Sequence, residues 1–105
     1  MSGPSEPVTA FLDHLRYERR LSVNTVNSYR RDLDKLVAFA GHQGVVDLKQ
    51  MRFAQARAFP VYLHRLDLSG RSIQRALSAA RQLFYFLLGE NRVSRDRLFS
   101  EQLHA

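Results

Sequence analysis

The sequence contains no cysteine. That excludes a disulfide scaffold, a thiolate nucleophile and a Cys-rich zinc site, and it fits a reducing compartment. Long apolar runs are also missing. The longest, Leu83-Phe84-Tyr85-Phe86-Leu87-Leu88, is far shorter than the roughly 20 residues of a membrane span. Residues Met1 to Pro7 hold neither a basic nor an apolar stretch, so no secretory signal is expected. Strand signals are nearly absent, with no sustained apolar/polar alternation flanked by Asn-Gly or Asp-Gly turns. There is no Gly-rich phosphate loop and no Gly-x-Ser-x-Gly elbow. Ser69-Gly70-Arg71-Ser72 reads as a helix start rather than a nucleophile site. His14, His42, His64 and His104 are scattered, with no two at i, i+4. No metal, cofactor, small-molecule substrate or catalytic residue is therefore expected.

What is present is one domain's worth of chain. The 105 residues are 45% hydrophobic and 25% charged, an ordinary globular composition able to build one modest core. Lys and Arg number 16 against 10 Asp and Glu, a net charge of +6, with a pI near 10.5. Fourteen of the bases are Arg, whose planar fork suits phosphate oxygens and guanine edges. A balance this basic is the electrostatic footprint of a nucleic-acid partner.

Helical periodicity recurs four times. Pro7 opens a first segment with Val8, Phe11, Leu12 and Leu15 at i, i+3, i+4, i+7. The stripe fades at Glu18-Arg19-Arg20, and Leu21 to Thr25 reads as a break and restart, with Ser22 or Asn24 as cap. A second helix over about 23–40, ending at Gly41, turns Val26, Tyr29, Leu33, Leu36, Val37 and Ala40 inward. In a third segment Asp47 caps a short turn through Leu48 and Met51, and Phe59, Tyr62, Leu63 and Leu66 form a stripe. Pro60 inside that stripe favours two pieces, with Pro60 in the first turn of the second. Ser69 caps a fourth helix ending at Gly89, with Ile73, Leu77, Ala80, Phe84 and Leu87 as its core stripe. The expectation is an all-α bundle of four main helices, with a short fifth helix or frayed tail after residue 90.

Two polar helix faces remain. Asn24, Ser28, Arg31 and Lys35 lie opposite the second helix's stripe, with Thr25 and Asn27 alongside. The fourth helix offers Ser69, Arg71, Ser72, Gln74, Arg75, Ser78 and Gln82. Both faces are basic, free of acid, and interleaved with Asn, Gln or Ser, the mixture that places cations on phosphates and forked donors on base edges. Asp32 and Asp34, amid Arg30, Arg31 and Lys35, read as surface partners of small energetic weight. Arg71 and Arg75 are expected to serve binding and not folding.

The chain then resembles a family. Phe11-Leu12-(x)2-Leu15-(x)2-Glu18-Arg19-Arg20-Leu21-Ser22-x-Asn24-Thr25-(x)3-Tyr29-Arg30-Arg31-Asp32-Leu33 is similar to the opening of the tyrosine site-specific recombinases of the Xer type. Ser69-(x)2-Ser72-Ile73-x-Arg75-x-Leu77-Ser78-Ala79-x-Arg81-(x)2-Phe84-(x)2-Leu87-Leu88 resembles the second hallmark of the same N-terminal domain. The text is closer to the XerC branch than to XerD. The resemblance implies a SAM-like core-binding domain, a small orthogonal helical bundle that clamps one side of a recombination half-site in double-stranded DNA. Asn24, Thr25, Ser28 and Arg31 would then lie on one contact helix. Ser69, Arg71, Ser72, Arg75 and Arg81 would lie on the other, and Tyr29 would be core. It also implies a cytoplasmic, nucleoid-associated setting in chromosome dimer resolution. The implied partners are a second Xer recombinase in a heterotetrameric synapse and a DNA translocase, with no membrane involved.

The chain departs from that pattern at Val23, where Pro is usual, and at Arg97-Leu98-Phe99, where a Pro-containing linker is usual. The family's catalytic Arg, Lys, His-x-x-Arg and Tyr have no counterparts, so this piece is expected to bind DNA without cutting it. The expected division is a flexible 1–6, a DNA-binding domain over 7–90, and a tail or linker start over 91–105. Two other readings stand beside this one: a helical protein-interaction module with incidental charge, and a free-standing helix-turn-helix repressor.

Overall fold

Capping side chains and left-handed residues set where most of the helices start and stop. A computed structural model describes residues 5–89; the expectations for residues 1–4 and for a helix or tail after Gly89 lie outside the described residues. The elements are α1 (Glu6–Asp13), α2 (Val23–His42), α3 (Phe53–Ala56), α4 (Phe59–Arg65) and α5 (Gly70–Gly89), with no strand among the described residues. The all-α expectation is borne out. The Cα radius of gyration is 13.1 Å, in line with the roughly 13 Å of a folded chain this long.

Helix α1 carries Pro7 in its first turn and buries Val8, Phe11 and Leu12. Residues His14–Glu18 then widen into a π-type turn that buries Leu15. Arg19 N–H donates to the His14 carbonyl and Leu21 N–H to that of Leu15, both at 3.0 Å. Arg20, at φ 56, takes the left-handed conformation that ends the segment. Ser22 is the cap of α2: its Oγ accepts from Thr25 N–H at 3.1 Å. Val23 is the first helical residue, so the helix begins where a proline would have begun it.

Helix α2 runs through Gly41 rather than ending there. Its stop is Gly44, at φ 73, with Val45 N–H donating back to the Ala40 carbonyl and Gly44 N–H to that of Gly41. This paired closure requires a left-handed residue, which glycine supplies without a Cβ penalty. Asp47 Oδ1 accepts from Lys49 N–H at 3.0 Å, capping the turn Leu48–Gln50. Leu48 and Met51 are buried. The third segment is two pieces, α3 and α4, and Pro60 sits in the first turn of α4. Phe59 and Leu63 are buried, whereas Leu66, expected in that stripe, is 44% exposed because the chain is already turning away there toward Asp67, at φ 63.

Helix α5 shows the largest rotation from expectation. Its buried residues are Ala76, Ala79, Ala80, Leu83, Phe84 and Leu87, while Ile73 and Leu77 are only partly buried. Three alanines face the centre, and small side chains let helix axes approach closely. A stripe read from large residues alone therefore misplaces the helix by part of a turn. The core is otherwise aromatic at two places. Phe11 meets Tyr29 edge-on at 5.9 Å and Phe86 at 5.5 Å. Phe39 meets Phe59 at 5.2 Å and Tyr62 at 5.3 Å.

Candidate nucleic-acid interface

The two long helices, α2 and α5, pack against each other, and two polar pairs cross their seam. Arg75 Nε–H donates to Asp32 Oδ2 at 3.0 Å, with Nη2 at 3.4 Å from Oδ1. The Tyr29 hydroxyl donates to Gln82 Oε1 at 3.1 Å. Asp32 is only 2% exposed, and Lys35 Nζ lies 3.7 Å from its Oδ1. The Asp32 carboxylate, by hydrogen bond and then by charge, raises the Arg75 guanidinium above its ordinary pKa.

These pairs correct two expectations. Asp32 is not a surface partner: it is the buried charged residue beneath the α2–α5 seam, and its neighbours neutralise it. Arg75 is not free of a folding role, because removing it would leave that carboxylate with Lys35 alone. The signal was in the sequence. Asp32 follows Tyr29 by three and precedes Leu36 by four, which puts an acid beside an apolar stripe.

The predicted site residues divide into those the seam gathers and those it does not. On α2, Ser28 and Lys35 flank Asp32 at helical spacing. Ser28 Oγ accepts from Arg31 Nη2 at 3.2 Å, and Lys35 Nζ donates to the Arg31 carbonyl at 3.3 Å. Thr25 is exposed and tied to the Ser22 cap, whose hydroxyl donates to its Oγ1 at 3.0 Å. Asn24 and Arg31 are exposed just outside this strip. Asn27 is not part of it. It lines a separate crevice of about 160 Å³ with Asp13, Arg16, Tyr17 and Arg30, between the first segment and α2.

On α5, Arg71, Arg75 and Ser78 form one strip along the seam. Arg71 is exposed, Ser78 half-buried and the Arg75 side chain 54% exposed. Gln74 and Arg81 are exposed farther round the helix. Ser69 and Ser72 are at its start, where Ser69 Oγ accepts from Ser72 N–H at 3.2 Å and donates to Ser72 Oγ at 3.1 Å. Helix α5 contains no Asp or Glu. Lys35, Arg71 and Arg75 thus lie along the seam, where Asp32 is buried and paired. A phosphate backbone would meet these cations there while the Asp32 carboxylate is already paired. Among the described residues no group of three His, Cys, Asp or Glu could hold a metal ion, and no helix is long and apolar enough to cross a membrane.

The pattern of this sequence matches the family described as phage integrase, N-terminal SAM-like domain, over residues 8–91. The chain belongs to that family. Relatives carry the same domain. The tyrosine recombinase XerC of Xanthomonas campestris pv. campestris (strain B100) is 44% identical over 87 residues, 83% of this chain and 27% of that protein. The XerC of Pseudomonas aeruginosa (strain LESB58) is 44% identical over 87 residues, 83% of this chain and 29% of that protein. The XerC of Pseudomonas putida (strain KT2440) is 38% identical over the same length. The chain therefore spans less than a third of these relatives, corresponding to their N-terminal domain. No solved structure gives a significant match.

Proposed function

We propose that this SAM-like domain is the DNA-clamping part of a Xer-type site-specific recombinase. It holds one face of a recombination half-site through α2 and α5. The observation that carries this reading is the seam itself, where two basic helix faces lie side by side, one helix has no acid, and the other's seam-facing acid is buried against Arg75. Arg71, Arg81, Arg31 and Lys35 suit phosphate contacts. Asn24, Thr25, Ser28, Gln74, Arg75 and Ser78 carry the donors and acceptors that would read base edges. Ser69 and Ser72 lie at the α5 N-terminus, where backbone N–H groups add to anion binding.

The domain binds in this scheme and leaves strand cleavage and rejoining to the rest of a recombinase. The resemblance to XerC supports work in chromosome dimer resolution within the cytoplasm, on the nucleoid. A second Xer recombinase would sit in the same heterotetrameric synapse, and a DNA translocase would act on the catalytic portion. Residues 7–90 are the proposed extent of this DNA-binding domain, with 91–105 as a tail or the start of a linker.

Fluorescence anisotropy with duplex DNA at several salt concentrations tests the reading. If about five phosphates are neutralised, log K should fall against log[salt] with a slope near −4.5. Absence of binding at low salt, or a slope near zero, would favour a helical protein-interaction module instead.

A further inference from the structure

The arginines of α5 are not equivalent. Arg71 and Arg81 are exposed and hold no side-chain partner among the described residues. Arg75 is held edgewise by Asp32, through Nε–H at 3.0 Å and Nη2 at 3.4 Å. Asp32 is itself 2% exposed and braced by Lys35 at 3.7 Å. A guanidinium has five N–H donors in a rigid plane. Two of them face the carboxylate. The outer N–H of Nη2 and both N–H groups of Nη1 remain, and these include the terminal fork. The Arg75 side chain is 54% exposed, so that fork is open to a ligand approaching the seam.

Given the DNA-binding reading above, we propose that Asp32 is a positioning residue, which fixes Arg75 so that its terminal fork meets the O6/N7 edge of a guanine in the major groove. A phosphate accepts from many directions, and a mobile Arg or Lys serves it well. A guanine edge offers two acceptors in one plane, and a donor already held in a plane loses less freedom on meeting them. Asp32 is well suited to the task because it is buried and cannot reach the DNA itself. Its charge is compensated from two sides, so it holds the arginine without repelling phosphates. Arg71, one turn earlier and unrestrained, is left for the backbone.

The test uses the whole 105-residue chain and a library of duplexes with randomised central positions. Bound DNA is sequenced, and the most enriched duplex is compared by anisotropy with versions changed one base pair at a time. The wild-type protein should prefer one guanine by about tenfold or more. Arg75→Lys keeps the cation and its carboxylate partner but has no fork. It should reduce that preference to less than about threefold while leaving the salt slope unchanged. Asp32→Asn should do the same, and the double variant should be no worse than either single one, because the two residues act through one contact. Circular dichroism and a melt establish that each variant is folded. A folded Asp32→Asn protein with the full guanine preference would overturn the proposal, as would a preference that survives Arg75→Lys. If Asp32→Asn melts below the assay temperature, Arg75→Lys decides alone. Steep salt dependence with no base preference in the wild type sinks this inference and leaves the DNA-binding reading intact. No binding to any duplex sinks the DNA-binding reading itself.

Discussion

Against α4, helix α2 is held by rings: Phe39, 1% exposed, packs on Phe59 and on the half-buried Tyr62. Against α5 it is tied by hydrogen-bonded polar pairs, Tyr29 to Gln82 and Arg75 to Asp32. The first seam draws its stability from apolar area, which is non-directional and tolerates small shifts. The second contributes less per residue but specifies how α2 and α5 are rotated against each other, since Asp32 and Arg75 must meet, and so must Tyr29 and Gln82. The proposed DNA surface runs along this second seam. The aromatic seam opens instead into a depression of about 510 Å³ lined by Phe39, His42, Tyr62 and Arg65, among others. A fold of this size can thus assign stability to one side of a helix and orientation to the other.

The comparison breaks first, and most severely, at the rings. Phe39→Ala should destabilise the domain by about 3–5 kcal/mol, the usual cost of emptying a buried aromatic site. That is a large share of a total of about 5–15 kcal/mol, and a thermal or urea melt reads it directly. At temperatures where the variant remains folded, its DNA salt slope should match the wild type. A changed slope would mean that the aromatic seam also positions the binding face.

Arg75→Ala should come next. It leaves the buried Asp32 carboxylate with Lys35 at 3.7 Å as its remaining partner. Hydrogen bonds to charged groups contribute about 1.5–3 kcal/mol, and a melt should show a loss in that range. The half-exposed position of the Arg75 side chain sets the lower end, because water can enter behind it. A loss within about 0.5 kcal/mol, the range of ordinary surface substitutions, would return Arg75 to the class of free surface arginines.

Tyr29→Phe sharpens the same seam at lower cost. The ring keeps its edge-on contact with Phe11 at 5.9 Å, while the bond from its hydroxyl to Gln82 is lost. A neutral hydrogen bond contributes about 0.5–1.5 kcal/mol, so the melt should move down slightly with no change in helical circular dichroism.

Most of this fold was legible in the sequence because its signals are local. Asp47 and Ser69 cap the elements they were expected to cap, Ser22 rather than Asn24 caps α2, and Pro60 divides the third segment as its missing N–H requires. Where reading failed, the cause was tertiary. Whether α2 stops at Gly41 or Gly44 depends on which glycine takes the left-handed φ, and both occur in the text. The phase of α5 was misread because alanines, which carry little hydropathic weight, form its inner face. The candidate site was legible as two faces but not as one seam. Nothing in a linear pattern brings Asp32 to Arg75, 43 residues apart, or sends Asn27 to the other side of α2.

The smallest effect on folding, and the most telling about binding, belongs to Arg71. It stands one turn before Arg75 on α5, is exposed, and has no buried acid to hold. Arg71→Ala should therefore leave the melt within about 0.5 kcal/mol of wild type. On DNA it should flatten the salt slope by about 0.9, one phosphate's share, with little dependence on sequence, since a backbone contact carries no base information. The matched control is the pair Arg16→Ala with Arg19→Ala. Both are exposed, and Arg16 lines the crevice between the first segment and α2, away from the α5 side. Removing two charges there lowers the net charge by twice as much as Arg71→Ala does. If long-range attraction alone governed binding, the control pair would flatten the slope more than Arg71→Ala. If the α2–α5 seam is the contact surface, the single seam substitution should flatten it more than the pair. The order of those two slopes, measured in one titration series, decides between a diffuse basic surface and a docked pair of helices.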